Sequence, residues 1–222
     1  MNTRHPPLSV RVWGDFACFT RPENKVERVS YPVLTPSAAR GVLESIFWKP
    51  EFTWQVKEIW VLQPIRYFSI LRNEINSKAS ERAAAGWQKN GGGYLATEDR
   101  AQRHTLALRK VAYVIHADIL LRAHADADEA KYRDQFRRRV QSGRCFARPY
   151  LGCREFAAEF SEPKEEEQPI NLTDDLGYML HDLSYQSDGS GRGIPTFFAA
   201  HLERGVLRIP ERGETHVVTK AG

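Results

Sequence analysis

The chain has 222 residues, 41% of them hydrophobic, and a formal charge of +4, enough to bury a core in one large domain or two small ones. No apolar run reaches 18 residues, which argues against a membrane-spanning helix, and the opening MNTRHPPLSV lacks the apolar centre of a secretory leader. Three scattered cysteines, Cys18, Cys145 and Cys153, match neither a disulfide framework nor a zinc site, and suit a reducing cytoplasm.

Leu8, Val10 and Val12 alternate with Ser9, Arg11 and Trp13, which predicts an opening strand that ends at Gly14. Thr35 followed by Pro36 reads as a cap and a first helical residue. The helix after it places Ala38, Ala39, Val42, Leu43, Ile46 and Phe47 on one side, and Pro50 stops it. TWQVKEIWVLQPIRYFSIL then predicts two strand segments separated at Pro64.

Residues 76–104 are polar, carry Gly91, Gly92 and Gly93, and predict a long mobile loop holding Lys89, Arg100, Arg103 and His104. The glycine run follows no nucleotide-binding pattern. Val111, Tyr113, Ile115, Ala117, Ile119 and Leu121 then share one face of a long strand, with His116 on the opposite face.

The second predicted helix, AKYRDQFRRRVQSGR, spans 130–144. Tyr132, Phe136 and Val140 form its apolar stripe, and Arg133, Arg137 and Arg144 fall on an adjoining face. Between 131 and 148, seven lysines and arginines oppose Asp134 alone, a local +6, so the rest of the chain carries −2. Such a block is either a solvated helix face or the footprint of a phosphate-backbone partner.

Residues 144–160 read as a further strand region. The order β, α, β, β, α, β predicts an α+β fold with a ferredoxin-like, RRM-like N-terminal domain over 1–160. SEPKEEEQPINLTDD, 161–175, carries six acids against one lysine. It predicts an acidic linker whose charges point away from the basic helix. GYMLHDLSY, GIPTFFAAHL and GVLRIP then predict a small antiparallel sheet over 176–222, with a hairpin turn at 203–205.

Several of these segments together carry a resemblance. VWGDFACFTRPENKVERVSYPVLTPSAARGVLESIFWKPEFTW, LQPIRYFSILRNEI, EDRAQRHTLALRKVAYVIHA, GCREFAAEF, GYMLHDLSY and FFAAHLERGVLRIP resemble the CRISPR-associated RAMP-superfamily proteins of type I-C systems, the Dvulg subtype. The resemblance implies a ferredoxin-like domain followed by a small β-sheet domain. It also implies a metal-independent endoribonuclease, with no cofactor, that cuts the repeat hairpin of precursor CRISPR RNA. Such a protein then stays on the mature crRNA as a subunit of the type I-C interference complex, holding the 5′ handle.

The chemistry needs no metal in principle. A ribose 2′-OH attacks the adjacent phosphorus and leaves a 2′,3′-cyclic phosphate and a 5′-OH, so the protein must align the 2′-OH, move protons and stabilise charge. The family pattern uses a tyrosine in the first helix and a Lys-His pair near the head of the second. Here those positions hold Phe47 and Lys131 with Tyr132: one group matches and two depart. Lys131 is therefore the first candidate for catalysis, with Tyr132 and His116 (or His104) as candidate proton carriers. Arg133, Arg137, Arg138 and Arg144, with Lys89, Arg100, Arg103 and His104, are the candidate RNA contacts. The rival readings are a non-catalytic crRNA-binding scaffold and double-stranded DNA binding through the same basic surface.

Overall fold

The structure is a computed structural model that describes residues 5–24, 26–77, 80–185, 193–211 and 216–217. Residues 78–79 of the expected loop, and 186–192, 212–215 and 218–222 of the C-terminal region, lie outside the described residues. Among the described residues the fold is α+β, with three helices, two of them packed on a large, mostly antiparallel sheet.

The first strand, β1, runs over Leu8–Ala17, past the predicted stop at Gly14, and Arg28–Val29 form a short β2. Helix α1 spans Pro36–Ile46; the Thr35 hydroxyl accepts from the Ala38 N–H at 3.3 Å, as a cap should. Its buried stripe is Ala39, Val42, Leu43 and Ile46. Phe47 then leaves the helix in extended conformation.

Strands β3 (Phe52–Val61) and β4 (Tyr67–Ile75) follow. The described part of the expected mobile loop holds regular structure instead. Ser80 caps a helix, α2, over Glu81–Asn90, and the next strand begins at Arg100. This strand, β5 (Arg100–Leu121), has 22 residues and is shared by four neighbours. Its C-terminal half pairs with β3, its N-terminal half with β4 and β2, and its middle and C-terminal half with β1. Lys110, at φ +51°, marks the point where β3 ends as a partner and β4 takes over.

Helix α3 (Glu129–Gln141) buries Tyr132, Phe136 and Val140 as the spacing predicts. Beyond it, 144–160 is largely irregular rather than a strand; only Glu159–Ser161 form β6, against β1. The segment is held by packing: Gly152, at φ +86°, lies so close to Cys18 that an added Cβ would sit 2.0 Å from the Cys18 carbonyl oxygen.

The remaining strands are β7 (Asp174–Tyr185), β8 (Gly193–Glu203), β9 (Val206–Arg208) and β10 (His216–Val217). Arg204 and Gly205, both at positive φ, make the tight turn predicted between β8 and β9. β9 pairs with β3, so the sheet runs β10-β8-β9-β3-β5-β1-β6 without a break. The acidic segment is anchored along this junction. Glu167 pairs with Arg11, and the Ile170 N–H donates to the Val61 carbonyl. The charges were expected to point away from the basic helix, but Glu162 accepts from Gln141 on the last turn of α3. Helices α1 and α3 pack against each other and the sheet, and one hydrophobic core runs from Leu8 to Ile209.

Candidate active site

Four chain segments meet at one edge of the sheet: the end of α1, the start of β3, the end of β5 and the start of α3. The Arg122 N–H donates to the Glu51 carbonyl, and the Ala125 N–H to Arg122, which folds residues 122–125 into a turn against β3. Asp128 then caps α3 by accepting from the Lys131 N–H at 3.2 Å. Lys131 is exposed, with its ammonium 5.9 Å from the Tyr132 ring centre.

Tyr132 points inward. Its ring packs on Phe52, which in turn packs on Phe47, each pair 5.4 Å between ring centres. Its hydroxyl donates to Asp126 at 2.8 Å. Burial first, then the bond and charge of Asp126, push the phenol up to about 12. A hydroxyl so held stays protonated at neutral pH and is no base, so the structure gives Tyr132 a packing and donor role. Asp126 is pushed the other way, below the usual carboxylate range, by the Tyr132 hydroxyl and then by the charges of Lys131 and Lys49. Phe47 is buried and has no hydroxyl; the Arg139 guanidinium stacks over it and bonds the Ile46 carbonyl at 3.0 Å.

His116 is not brought to this edge. It lies five residues back along β5, roughly 16 Å at strand rise, on the face away from α1 and α3, against the Trp60 ring at 4.7 Å. Burial lowers its pKa, and its Nε2 has no hydrogen-bond partner among the described residues. His104, Arg100, Arg103 and Lys89 also stand apart, on the β4–α2–β5 arm. His104 and Arg100 are exposed in the ladder opposite Leu71 and Ile75. Arg103 is tied to Asn76 and Glu74, and Lys89 lies in the last turn of α2.

The basic helix divides into two groups. Arg137, Arg138 and Arg144 are exposed; Arg137 pairs with Asp134 at 3.1 Å, and Arg138 reaches the Asp134 carbonyl. An open cleft beside them is lined by Gln135, Arg138, Arg139, Ser142, Arg144 and Cys145. Arg133 departs from the expectation of a phosphate contact. It is 1% exposed, with its guanidinium bound by Glu129 at 3.0 Å and by the Pro6 carbonyl. Two residues on from Lys131, it is turned about 200° around the helix, toward the interior.

Reading the sequence did not mark Lys49, His124 or Asp126, which lie in the segments flanking Lys131; Asp126 feels the charges of both Lys131 and Lys49. His124 is exposed in the turn before α3, with Nε2 3.1 Å from the Pro50 carbonyl oxygen. The signal was present in WKP after the first helix and HAD before the second, since both flank the Lys-Tyr pair once the strands are paired. Among the described residues no group of three or more His, Cys, Asp or Glu side chains is gathered to hold a metal ion.

Comparison with known proteins matches residues 8–210 to the Cas5d family, CRISPR-associated protein (Cas_Cas5). The "CRISPR pre-crRNA endoribonuclease Cas5d" of Thermus thermophilus is 44% identical over 218 residues, 91% of each chain. A crystal structure of a CRISPR-associated protein superposes with a TM-score of 0.68 at 22% identity, covering 98% of this chain and 100% of that one. A chain of a CRISPR RNA-guided surveillance complex superposes with a TM-score of 0.51 at 12% identity, covering 92% and 91%. The chain belongs to the Cas5d family of CRISPR-associated proteins.

Proposed function

We propose that this protein is the endoribonuclease that processes precursor CRISPR RNA, the activity carried in the name of its 44%-identical relative, and that it remains bound to the crRNA as an interference-complex subunit. The observation that carries the reading is the position of Lys131. It stands exposed on the first turn of α3, next to the open face of Arg137, Arg138 and Arg144. A backbone gripped by these arginines runs past an ammonium able to neutralise charge on a phosphorane. The 2′-OH attack outlined above then yields a 2′,3′-cyclic phosphate and needs no metal.

The wider assignments follow from the same reading. The β6-β1-β5-β3 order with α1 and α3 as crossovers supports a ferredoxin-like unit. Residues 1–160 carry the RNA-handling surface, 161–175 lead away from it, and 176–222 brace α1 through the Arg40–Asp182 pair at 2.8 Å. Three free thiols suit the cytoplasm. One observation favours the second reading, a non-catalytic crRNA scaffold: Phe47 and Tyr132 supply no mobile proton at the two positions where the family pattern has a tyrosine and a histidine.

The test is labelled repeat RNA from the cognate array, incubated with the protein in EDTA. One defined cut is expected, and it is blocked by a deoxyribose immediately 5′ of the scissile phosphate. Lys131→Ala should slow cutting by roughly 100-fold or more while binding stays within about 3-fold. No cut with wild type leaves the scaffold reading. A collapse of binding in Lys131→Ala makes the lysine a phosphate contact.

A further inference from the structure

Cleavage by 2′-OH attack needs a group to take the 2′ proton, and the groups first considered are each placed elsewhere. Phe47 has no hydroxyl, the Tyr132 hydroxyl is committed to Asp126, His116 is on the opposite sheet face, and His104 is on the arm. The other described histidines belong to other segments. His5 precedes Pro6, on the Arg133 side of α3, His181 bonds the Pro210 carbonyl, and His201 and His216 lie on β8 and β10.

His124 remains, and its surroundings are specific. The carbonyl of Pro50 can only accept, so the contact at 3.1 Å requires Nε2 to carry the ring proton. In the neutral ring this leaves the Nδ1 lone pair free, the tautomer that a base requires. The turn that holds the ring is fixed at both ends, by Arg122 on Glu51 and by the Asp128 cap bonded to the Lys131 N–H. Asp126, two residues on, feels the charges of both Lys131 and Lys49, and Pro50, which holds the imidazole, directly follows Lys49 in the chain. Lys49, Glu51, Arg122, Asp126, Asp128 and Lys131 are the charged groups of the segments around it.

Resting on the endoribonuclease reading, we infer that His124 is the general base of this enzyme, replacing the proton-transfer function missing at Phe47 and Tyr132. His124 Nδ1 takes the 2′ proton as O2′ bonds to phosphorus and the P–O5′ bond breaks. The Lys131 ammonium gives a proton to O5′, and the imidazolium returns one to the lysine through solvent. The products are the 2′,3′-cyclic phosphate and the 5′-OH, with no co-reactant consumed.

The test is single-turnover cleavage of the same repeat RNA by wild type, His124→Gln and His124→Ala. The glutamine amide can still donate to the Pro50 carbonyl but has no basic nitrogen, so it separates positioning from proton transfer. His124→Gln should cut at least roughly 100-fold more slowly with RNA affinity within about 2-fold. Added imidazole should restore His124→Ala in proportion to its free-base concentration. The inference is overturned if His124→Gln cuts within about 3-fold of wild type, or if imidazole leaves His124→Ala unrescued. In either case an active wild type keeps the endoribonuclease reading; an inert wild type removes both.

Discussion

Two neighbouring residues of α3, Tyr132 and Arg133, are both buried and both hydrogen-bonded, and they account for most of the difference between the site expected and the site found. The Tyr132 bond to Asp126 has a pH signature. Asp126 is depressed in the folded protein, so its contribution to stability is present above the ordinary carboxylate value near 3.8 and is lost as pH falls through the lower, folded value. Tyr132→Phe should therefore lower the urea midpoint at pH 6, and the gap from wild type should close below about pH 4. A gap that is constant from pH 6 to pH 2.5 contradicts a bond to the ionised carboxylate. Arg133 makes a separate prediction. Arg133→Ala strands Glu129 and opens the interior, which costs on the order of 3 kcal/mol, yet it should leave the salt dependence of RNA binding unchanged. Arg138→Ala and Arg144→Ala should do the reverse, each reducing the slope of log affinity against log salt by roughly 0.7 for single-stranded RNA with no loss of stability. The charge count in the sequence could not separate these arginines: Arg133 and Arg137 share one face of the helix, and what distinguishes Arg133 is the Pro6 carbonyl that meets it there from the start of the chain.

At the scale of elements, α1 was legible because cap, apolar period and stop agree, α3 because of its apolar stripe, and the β8–β9 turn because Arg204 and Gly205 sit between two apolar runs. The failures have physical causes. Helix α2 buries no residue, so no apolar stripe announced it; only Ser80, the alanines at 83–85 and the glycines after Asn90 did. Residues 144–160 carry apolar side chains at strand-like spacing, but these plug onto Cys18 and β1 instead of pairing along a ladder. His124 was illegible for a related reason: its significance comes from Pro50, which lies 74 residues away and meets it only through the β3–β5 pairing. The exposed character of α2 leads to a test. Asn76 and Asp99 already close the β4–β5 ladder with a bond of 3.1 Å, so replacing 77–98 by Asn-Gly joins the strands through a type I′ turn. The shortened protein should melt within about 3 °C of wild type, roughly the shift of 1 kcal/mol for a chain of this size. A fall of about 10 °C or more means the arm supports the core.

The sheet is organised around β5, which pairs with β1, β2, β3 and β4, and β9 ties the C-terminal strands to the same sheet through β3. Met179, Phe198, Leu202 and Leu207 belong to the same hydrophobic core as Val10, Leu43 and Phe136. The acidic composition of 161–175 therefore marks a change of surface chemistry across a segment that is pinned at Glu167 and Ile170. With the main core continuous across that segment, the protein should unfold in one transition. The tryptophans allow this to be measured: all five, at positions 13, 48, 54, 60 and 87, lie in the N-terminal half, whereas far-UV circular dichroism reports strands throughout. Thermal and urea transitions followed by the two signals should coincide, with one midpoint and one slope. If the C-terminal strands unfold separately, ellipticity will change in a step that tryptophan emission does not register. The Arg40–Asp182 pair places the first helix at the same junction. Arg40→Ala should consequently lower both midpoints together, and a shift confined to one signal would show that the junction couples the two halves only weakly.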